Sequence, residues 1–153
     1  MKPINTSLPI TGFWDSRQGG RADNQDQCAV IDTPLGFLAL VCDGMGGGPS
    51  GSLASDTAVR KIYEFLKTPH EDMNRKDVLK EAIEYAHNAI VCLGDENPSL
   101  KGMGTTVAAV LINDYSAIVA HVGDSRVYQF RHGYKIFRTA DHSMVADMVR
   151  NGV

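Results

Sequence analysis

LGFLALVCDGMGGGPSGS, residues 35–52, is the stretch on which the fold turns. An apolar run from Phe37 to Cys42 gives way at once to Asp43, and Gly44, Gly46, Gly47 and Gly48 crowd in behind it. Pro49 and Ser50 then open a helical pattern. A short apolar run bounded by turn residues fits a fully buried strand. A carboxylate at the mouth of that strand, followed by backbone of wide conformational freedom, offers a metal ion both an acid and a bare carbonyl.

Two nucleotide motifs compete for the same glycines. Gly46, Gly48 and Gly51 match GxGxxG between a strand and a helix, the setting of a dinucleotide fingerprint. Against it, Asp43 would stand close to the pyrophosphate, and no second parallel βαβ unit follows. A Walker loop requires Lys after its last glycine, and here Ser52 follows Gly51.

The 153 residues set a ceiling of one domain, with 43% hydrophobic and 22% charged residues marking a globular chain. Fifteen basic against eighteen acidic residues leave a net charge of −3, which argues against a nucleic-acid or anionic-membrane surface. Cys28, Cys42 and Cys92 form no CxxC and read as buried free thiols in a reducing compartment. Neither a signal core nor an apolar run of membrane-spanning length is present. A cytoplasmic location is the expectation.

Outward from the central stretch, Met1–Pro9 reads as an irregular lead-in, with a first strand over Gly12–Ser16. Gln18–Gln27 is a polar loop, and strands over Cys28–Ile31 and Phe37–Cys42 form an antiparallel hairpin about Thr33–Gly36. Ser50–Lys67 is helical, with Ala54, Ala58, Ile62 and Leu66 in one row. Asn74–Leu93 is a second helix, with Asn74 as N-cap and Gly94 as C-cap. From Gly104 the period shortens. Runs at Thr105–Ile112, Ala117–Val122, Arg126–Phe130 and Tyr134–Arg138 predict an antiparallel meander, and Met144–Arg150 a further short amphipathic helix. Strands, a helix pair and more strands give an α+β chain.

Polar clusters fall at the strand ends and turns: Arg21–Asp26, Asp43-Gly44, Gly123–Arg126 and Asp141–Ser143. Asp26, Asp43 and Asp124 suit a hard divalent cation, which takes oxygen ligands. With no His or Cys at ligand spacing beside them, zinc is not expected. Arg21 among these acids supplies the planar two-pronged donor that a phosphate group requires. His87 reads as solvated, His121 as packed, Trp14 as core, and Arg126 as the partner of a carboxylate.

In sequence order, RADNQD, VCDGMGGGPSG, GTT, HVGDSR and ADHS resemble the metal-dependent protein phosphatases of the type 2C serine/threonine class. The DGMGG form resembles the bacterial branch. The resemblance runs from about Arg21 to Gly152. It implies a four-layer α-β-β-α sandwich, two antiparallel sheets flanked by helix pairs. It also implies two or more Mg²⁺ or Mn²⁺ ions, with Asp43 bridging two of them, the Gly44 carbonyl on one, and Asp124 at a further position. By the same resemblance Arg21 holds the substrate phosphate, Gln25 contacts metal-bound water, and Asp26 stands just behind the ligands. Met45 occupies the place of a histidine in animal relatives, so no general acid is assigned. The implied reaction is hydrolysis of phosphoserine or phosphothreonine in proteins by a hydroxide shared between two metals. The implied partners are phosphorylated proteins and a cognate serine/threonine kinase.

Further aspartates that the family draws from later sequence are absent from these 153 residues. The expectation is a single type 2C phosphatase-like domain over 1–153 that lacks its C-terminal part and is inactive alone. A non-catalytic phosphoprotein-binding module, or a nucleotide-binding domain using Gly46–Gly51, are the alternatives.

Overall fold

A computed structural model describes residues 1–45, 48–70 and 72–142. Its organising element is the expected hairpin. Strand β3 (Asp26–Thr33) runs antiparallel to β4 (Gly36–Met45). The tight turn between them sets the register from Thr33 opposite Gly36 back to Asp26 opposite Asp43.

Strand β4 does not stop at Asp43. Gly44 and Met45 continue it because a distant segment, β5 (Gly104–Thr105), pairs with them, and Thr106 N donates to Asp43 O at 2.8 Å. Nor is β4 buried on both faces. Leu38, Leu40 and Cys42 are inaccessible while Val41 is 47% exposed, the period-two signature of a sheet with one covered face. The sheet is completed by β6 (Val107–Ile112) and β7 (Ala117–Val122), in the order β3-β4-β6-β7 with β5 beside β4, antiparallel throughout.

Two helices cover the buried face. α1 (Gly48–Leu66) presents Ala54, Ala58, Ile62 and Leu66, all buried as the apolar row requires. α2 (Arg75–Glu96) presents Val78, Leu79, Ala82, Ala86 and Ile90. These side chains form one cluster with Leu38, Leu40, Ala109 and Leu111 of the sheet. Burial of each large aliphatic side chain contributes about 1.5–3 kcal/mol. Asn74 caps α2 as expected, its side chain accepting from the Lys76 and Asp77 N–H groups. Gly94 does not end that helix. It continues to Glu96, and Asn97 caps it, donating its N–H to Leu93 O and accepting Ser99 N–H to start a 3₁₀ turn at Pro98–Leu100.

The expected four-strand meander is split in two. β6 and β7 pair along their full length, but β8 (Tyr128–Arg131) and β9 (Tyr134–Arg138) form a separate hairpin. Chain from Gly123 to Val127 leaves the sheet, and Val127 instead exchanges hydrogen bonds with Thr139 through both its N–H and its carbonyl. At the N-terminus the irregular lead-in contains a two-residue strand, β1 (Lys2–Pro3), paired with β2 (Phe13–Trp14). The remaining expected helix, Met144–Arg150, lies outside the described residues.

Of the four expected layers, the described residues hold one five-stranded sheet and one helix pair, with two small two-stranded sheets beside them. The other sheet face carries an open cleft lined by Val30, Ala39, Val41 and Val110, with Trp14 and Tyr128 from the two small sheets. Trp14 is therefore a half-buried rim residue rather than core, with Lys2 Nζ 4.8 Å from its ring centre. Burial pushes the Cys42 thiol up to about 12, so it is an inert packing group, whereas Cys92 is exposed.

Candidate functional site

The register of β3 against β4 places Asp26 and Asp43 directly opposite each other. Cross-strand partners have Cβ atoms about 4.5–5.5 Å apart, and like charges there are destabilising. That cost falls on Asp43. Burial first, and then the Asp26 charge and a contact between the two carboxyl groups, hold its pKa above the ordinary carboxylate value; Arg21 pulls it down and Asp124 pushes it up again. A fold that sets two acids face to face, with a third close enough to be felt, has the electrostatics of a cation site.

Arg17, Gln18, Arg21, Asp23, Asn24, Gln25, Asp26 and Asp43 line a small pocket at this strand end. The loop before β3 reaches it because its own polar side chains fold it back. Gln18 Nε2 donates to the carbonyls of Arg21 and Ala22, and Asn24 Oδ1 accepts the Asp26 N–H at 3.1 Å. The Arg21 guanidinium makes no hydrogen bond or ion pair among the described residues.

Gly44 lies where three elements meet. Its N–H donates to Gln25 O at 3.1 Å, and the same carbonyl accepts from the buried Ser55 hydroxyl of α1 at 2.6 Å. A Cβ on Gly44 would collide with the Gly51 carbonyl, and one on Gly51 would stand 3.1 Å from Gly44 O and against the Gln25 side chain. Gly51 is thus spent on packing helix against strand. That, an antiparallel sheet, and a pocket of about 120 Å³, below the several hundred of an organic-ligand site, count against a dinucleotide fold.

Asp124 is exposed, in the turn after β7. Arg126 grips the far side of this turn, as its sequence position suggests. Its Nε and Nη2 donate to the two carboxylate oxygens of Asp141 at 2.7 and 2.5 Å. His121 Nε2 lies 2.6 Å from Ala140 O and its ring stacks on His142 at 4.2 Å, while His87 is exposed on α2. Sequence reasoning missed Arg17, which lines the pocket from just ahead of the polar loop and pairs with Asp15 at 2.8 Å, and Thr106, whose place in the GTT run was its only signal.

The donors are all oxygens, two carboxylates face to face with a third nearby, which fits a hard divalent cation. Among the described residues no three His, Cys, Asp or Glu surround a single point, so the set is open rather than closed.

The profile of the protein phosphatase 2C family matches residues 15–149. The chain belongs to that family. Among its relatives are a Streptococcus pyogenes protein named for the 2C-type phosphatases, 38% identical, with 86% of this chain and 54% of that protein aligned. The serine/threonine phosphatase Stp of Listeria innocua is 31% identical, with 88% and 51% aligned. Among solved structures, the Mycobacterium tuberculosis phosphatase PstP superposes with a TM-score of 0.76 at 31% identity, over 90% of this chain and 57% of its own. The catalytic domain of a serine/threonine protein phosphatase PstP in complex with two manganese ions superposes with a TM-score of 0.75 at 31% identity, over 90% of this chain and 58% of its own. The chain spans about half the length of the curated relatives it matches. The α+β architecture implied by the sequence motifs is that of the solved 2C-family structures.

Proposed function

We propose that this chain carries the phosphate-binding and part of the cation-binding half of a serine/threonine protein phosphatase. The observation that supports it most is the Asp26–Asp43 pair facing Arg21 across one pocket, with Asp43 also sensing Asp124. Asp43 and Asp124 would hold Mg²⁺ or Mn²⁺ through carboxylate oxygens, and Gly44 through its backbone carbonyl. Such ions supply Lewis-acid charge and a water of lowered pKa.

The chain's own residues then do the positioning. Arg21 offers two parallel N–H groups to the equatorial oxygens of a phosphoryl group and neutralises charge that grows there in the transition state. Gln25 and Asp26 orient water at the pocket floor, Gln25 without adding charge. The nucleophilic water adds to phosphorus in line, the bond from phosphorus to the serine or threonine oxygen breaks, and that oxygen leaves with a proton.

The substrate class is phosphorylated protein, and a cognate serine/threonine kinase in the cytoplasm is the proposed source. No helix among the described residues is long and apolar enough to cross a membrane. The open donor set further supports the proposal that the 153 residues alone are inactive. It equally favours a second possibility, a non-catalytic phosphoprotein-binding module that keeps Arg21. Mn²⁺-dependent phosphate release from a phosphothreonine peptide by the full-length protein tests the first. Peptide binding through Arg21 without turnover would replace it with the second. Hydrolysis of p-nitrophenyl phosphate by the pure monomeric 153-residue chain would overturn the claim of inactivity.

A further inference from the structure

The GTT run, Gly104-Thr105-Thr106, takes no part in the chemistry just described, yet Thr106 is 2% exposed and joins the two ends of the site. Its hydroxyl accepts the Asp43 N–H at 3.0 Å and lies 2.6 Å from Ser125 Oγ. Its own N–H donates to Asp43 O at 2.8 Å, where Thr105 Oγ1 also donates at 3.0 Å. Both main-chain polar groups of Asp43 are therefore held by these two threonines.

The other arm of Thr106 is as constrained as the first. Gly123 has φ +91, and a Cβ on it would sit 2.8 Å from Thr106 Cγ2. The methyl thus packs against Gly123 while the hydroxyl bonds Ser125, so one side chain touches the residues on both sides of Asp124. A hydroxyl has one proton and accepts readily. It can take the Asp43 N–H and still make the Ser125 bond, which no aliphatic side chain of the same shape can do.

We propose that Thr106 is the positioning residue that fixes the Asp124 turn against the Asp43 strand end, and so sets the separation of the two carboxylates for a divalent cation. The role of that cation rests on the function proposed above. The hydroxyl fixes the direction of the Asp43 peptide, and the methyl fixes how closely the turn approaches. Valine keeps the shape and loses the hydrogen bonds; serine does the reverse.

The test uses the full-length protein, with Thr106→Val, Thr106→Ser, Ser125→Ala and the Thr106→Val/Ser125→Ala pair. Asp43 amide exchange is read by NMR, Mn²⁺ affinity by calorimetry, and folding by thermal melts. Loss of a group that orients a ligand weakens metal binding by about tenfold or more, which is the result expected for folded Thr106→Val, together with faster Asp43 amide exchange. Thr106→Ser should keep the amide protected and the affinity within about threefold of wild type, by the same reasoning. Ser125→Ala should weaken Mn²⁺ binding too, and the double variant should lose less than the two single losses combined. Folded Thr106→Val with wild-type Mn²⁺ affinity, or additive losses, would overturn the proposal. Should Thr106→Val not fold, wild-type affinity in Ser125→Ala would overturn it. A wild-type protein that binds no Mn²⁺ defeats the cation site itself. The Asp43 exchange then decides the positioning claim alone, and unchanged exchange in Thr106→Val or Ser125→Ala would end it.

Discussion

The end of β4 and the β8–β9 hairpin that follows the Asp124 turn are both antiparallel, but they are held in opposite ways. At the end of β4, Gly44 is buried, α1 packs on it, and its backbone is tied to Gln25 and the β5 segment. Every residue of β8 and β9 is exposed, and the hairpin's ties to the rest of the chain are polar and lie at its base: the Thr139 bonds to Val127, the Arg126–Asp141 pair, and the His121–Ala140 O and His142 N–Gly123 O contacts. One carboxylate end of the site is thus anchored by the core; the other is tied to it through Thr106 and Ser125 and leads into a hairpin held by a polar latch. The core-anchored end depends on residues within this chain. The latch leaves Tyr128, Phe130, Tyr134, Ile136 and Phe137 exposed over the two faces of the hairpin, apolar surface of the kind that marks an interaction site or an aggregation risk.

The largest effect that would break this contrast is in stability. Ile62→Ala, at a fully buried position between the helices and the sheet, should cost about 2–5 kcal/mol in chemical denaturation. Phe130→Ala, at a side chain 63% exposed, should stay within about 0.5 kcal/mol. Equal losses would mean that the hairpin is not the weakly held region. Next comes Arg21→Ala in the full-length protein, which should remove about 3 kcal/mol of transition-state stabilisation, read as kcat/KM on a phosphopeptide. An unchanged kcat/KM would take Arg21 out of phosphate binding. A smaller loss, about 1 kcal/mol, is expected for Asn74→Ala, which deprives the first turn of α2 of its cap. A melt unchanged by that substitution would show that Arg75, bonded to Leu35 O, Leu111 O and Ser116 Oγ, suffices to hold the helix start.

The smallest effect concerns pH. The Arg126 guanidinium, bonded to both Asp141 oxygens, holds that carboxyl below its ordinary value of 3.8. A depressed folded-state pKa contributes stability above the ordinary value, and that contribution is lost as pH falls through the lowered one. The latch should therefore persist at neutral pH and release only in acid, below about pH 4. Amide exchange at Thr139 and Val127 would report it. Release already near pH 6 would point to a group other than Asp141.

Much of the anchored end was legible in the sequence, because it rests on local periodicity. The existence of β4, the apolar rows of both helices and the Asn74 cap each follow from neighbouring residues, although the unbroken apolar run 37–42 reads as buried on both faces and the structure leaves Val41 open on one. The tight turn fixes the register that sets Asp26 opposite Asp43, but the sequence reads Asp26 as part of the polar loop, and the structure carries β3 back to it. What escaped was set by distant partners. β4 runs on past Asp43 because Gly104 and Thr105 come alongside, and Gly94 stays helical because Asn97 supplies a better end. The break between β7 and β8 depends on Thr139 bonding Val127, which no pattern near Val127 discloses. Thr106 was visible as a motif residue, but its contacts to Asp43 and Ser125 join three separate elements.

The central claim is that Asp43 is the principal cation ligand of a site whose geometry the core dictates. Its most direct test is a Mn²⁺ titration of the full-length protein by calorimetry, comparing wild type, Asp43→Asn and Asp23→Asn, with thermal melts alongside. Asp23 lines the same pocket but has no cross-strand acid opposite it. The account predicts that Asp43→Asn stays folded and loses Mn²⁺ binding, while Asp23→Asn binds as wild type does. A folded Asp43→Asn protein with wild-type Mn²⁺ affinity would contradict it.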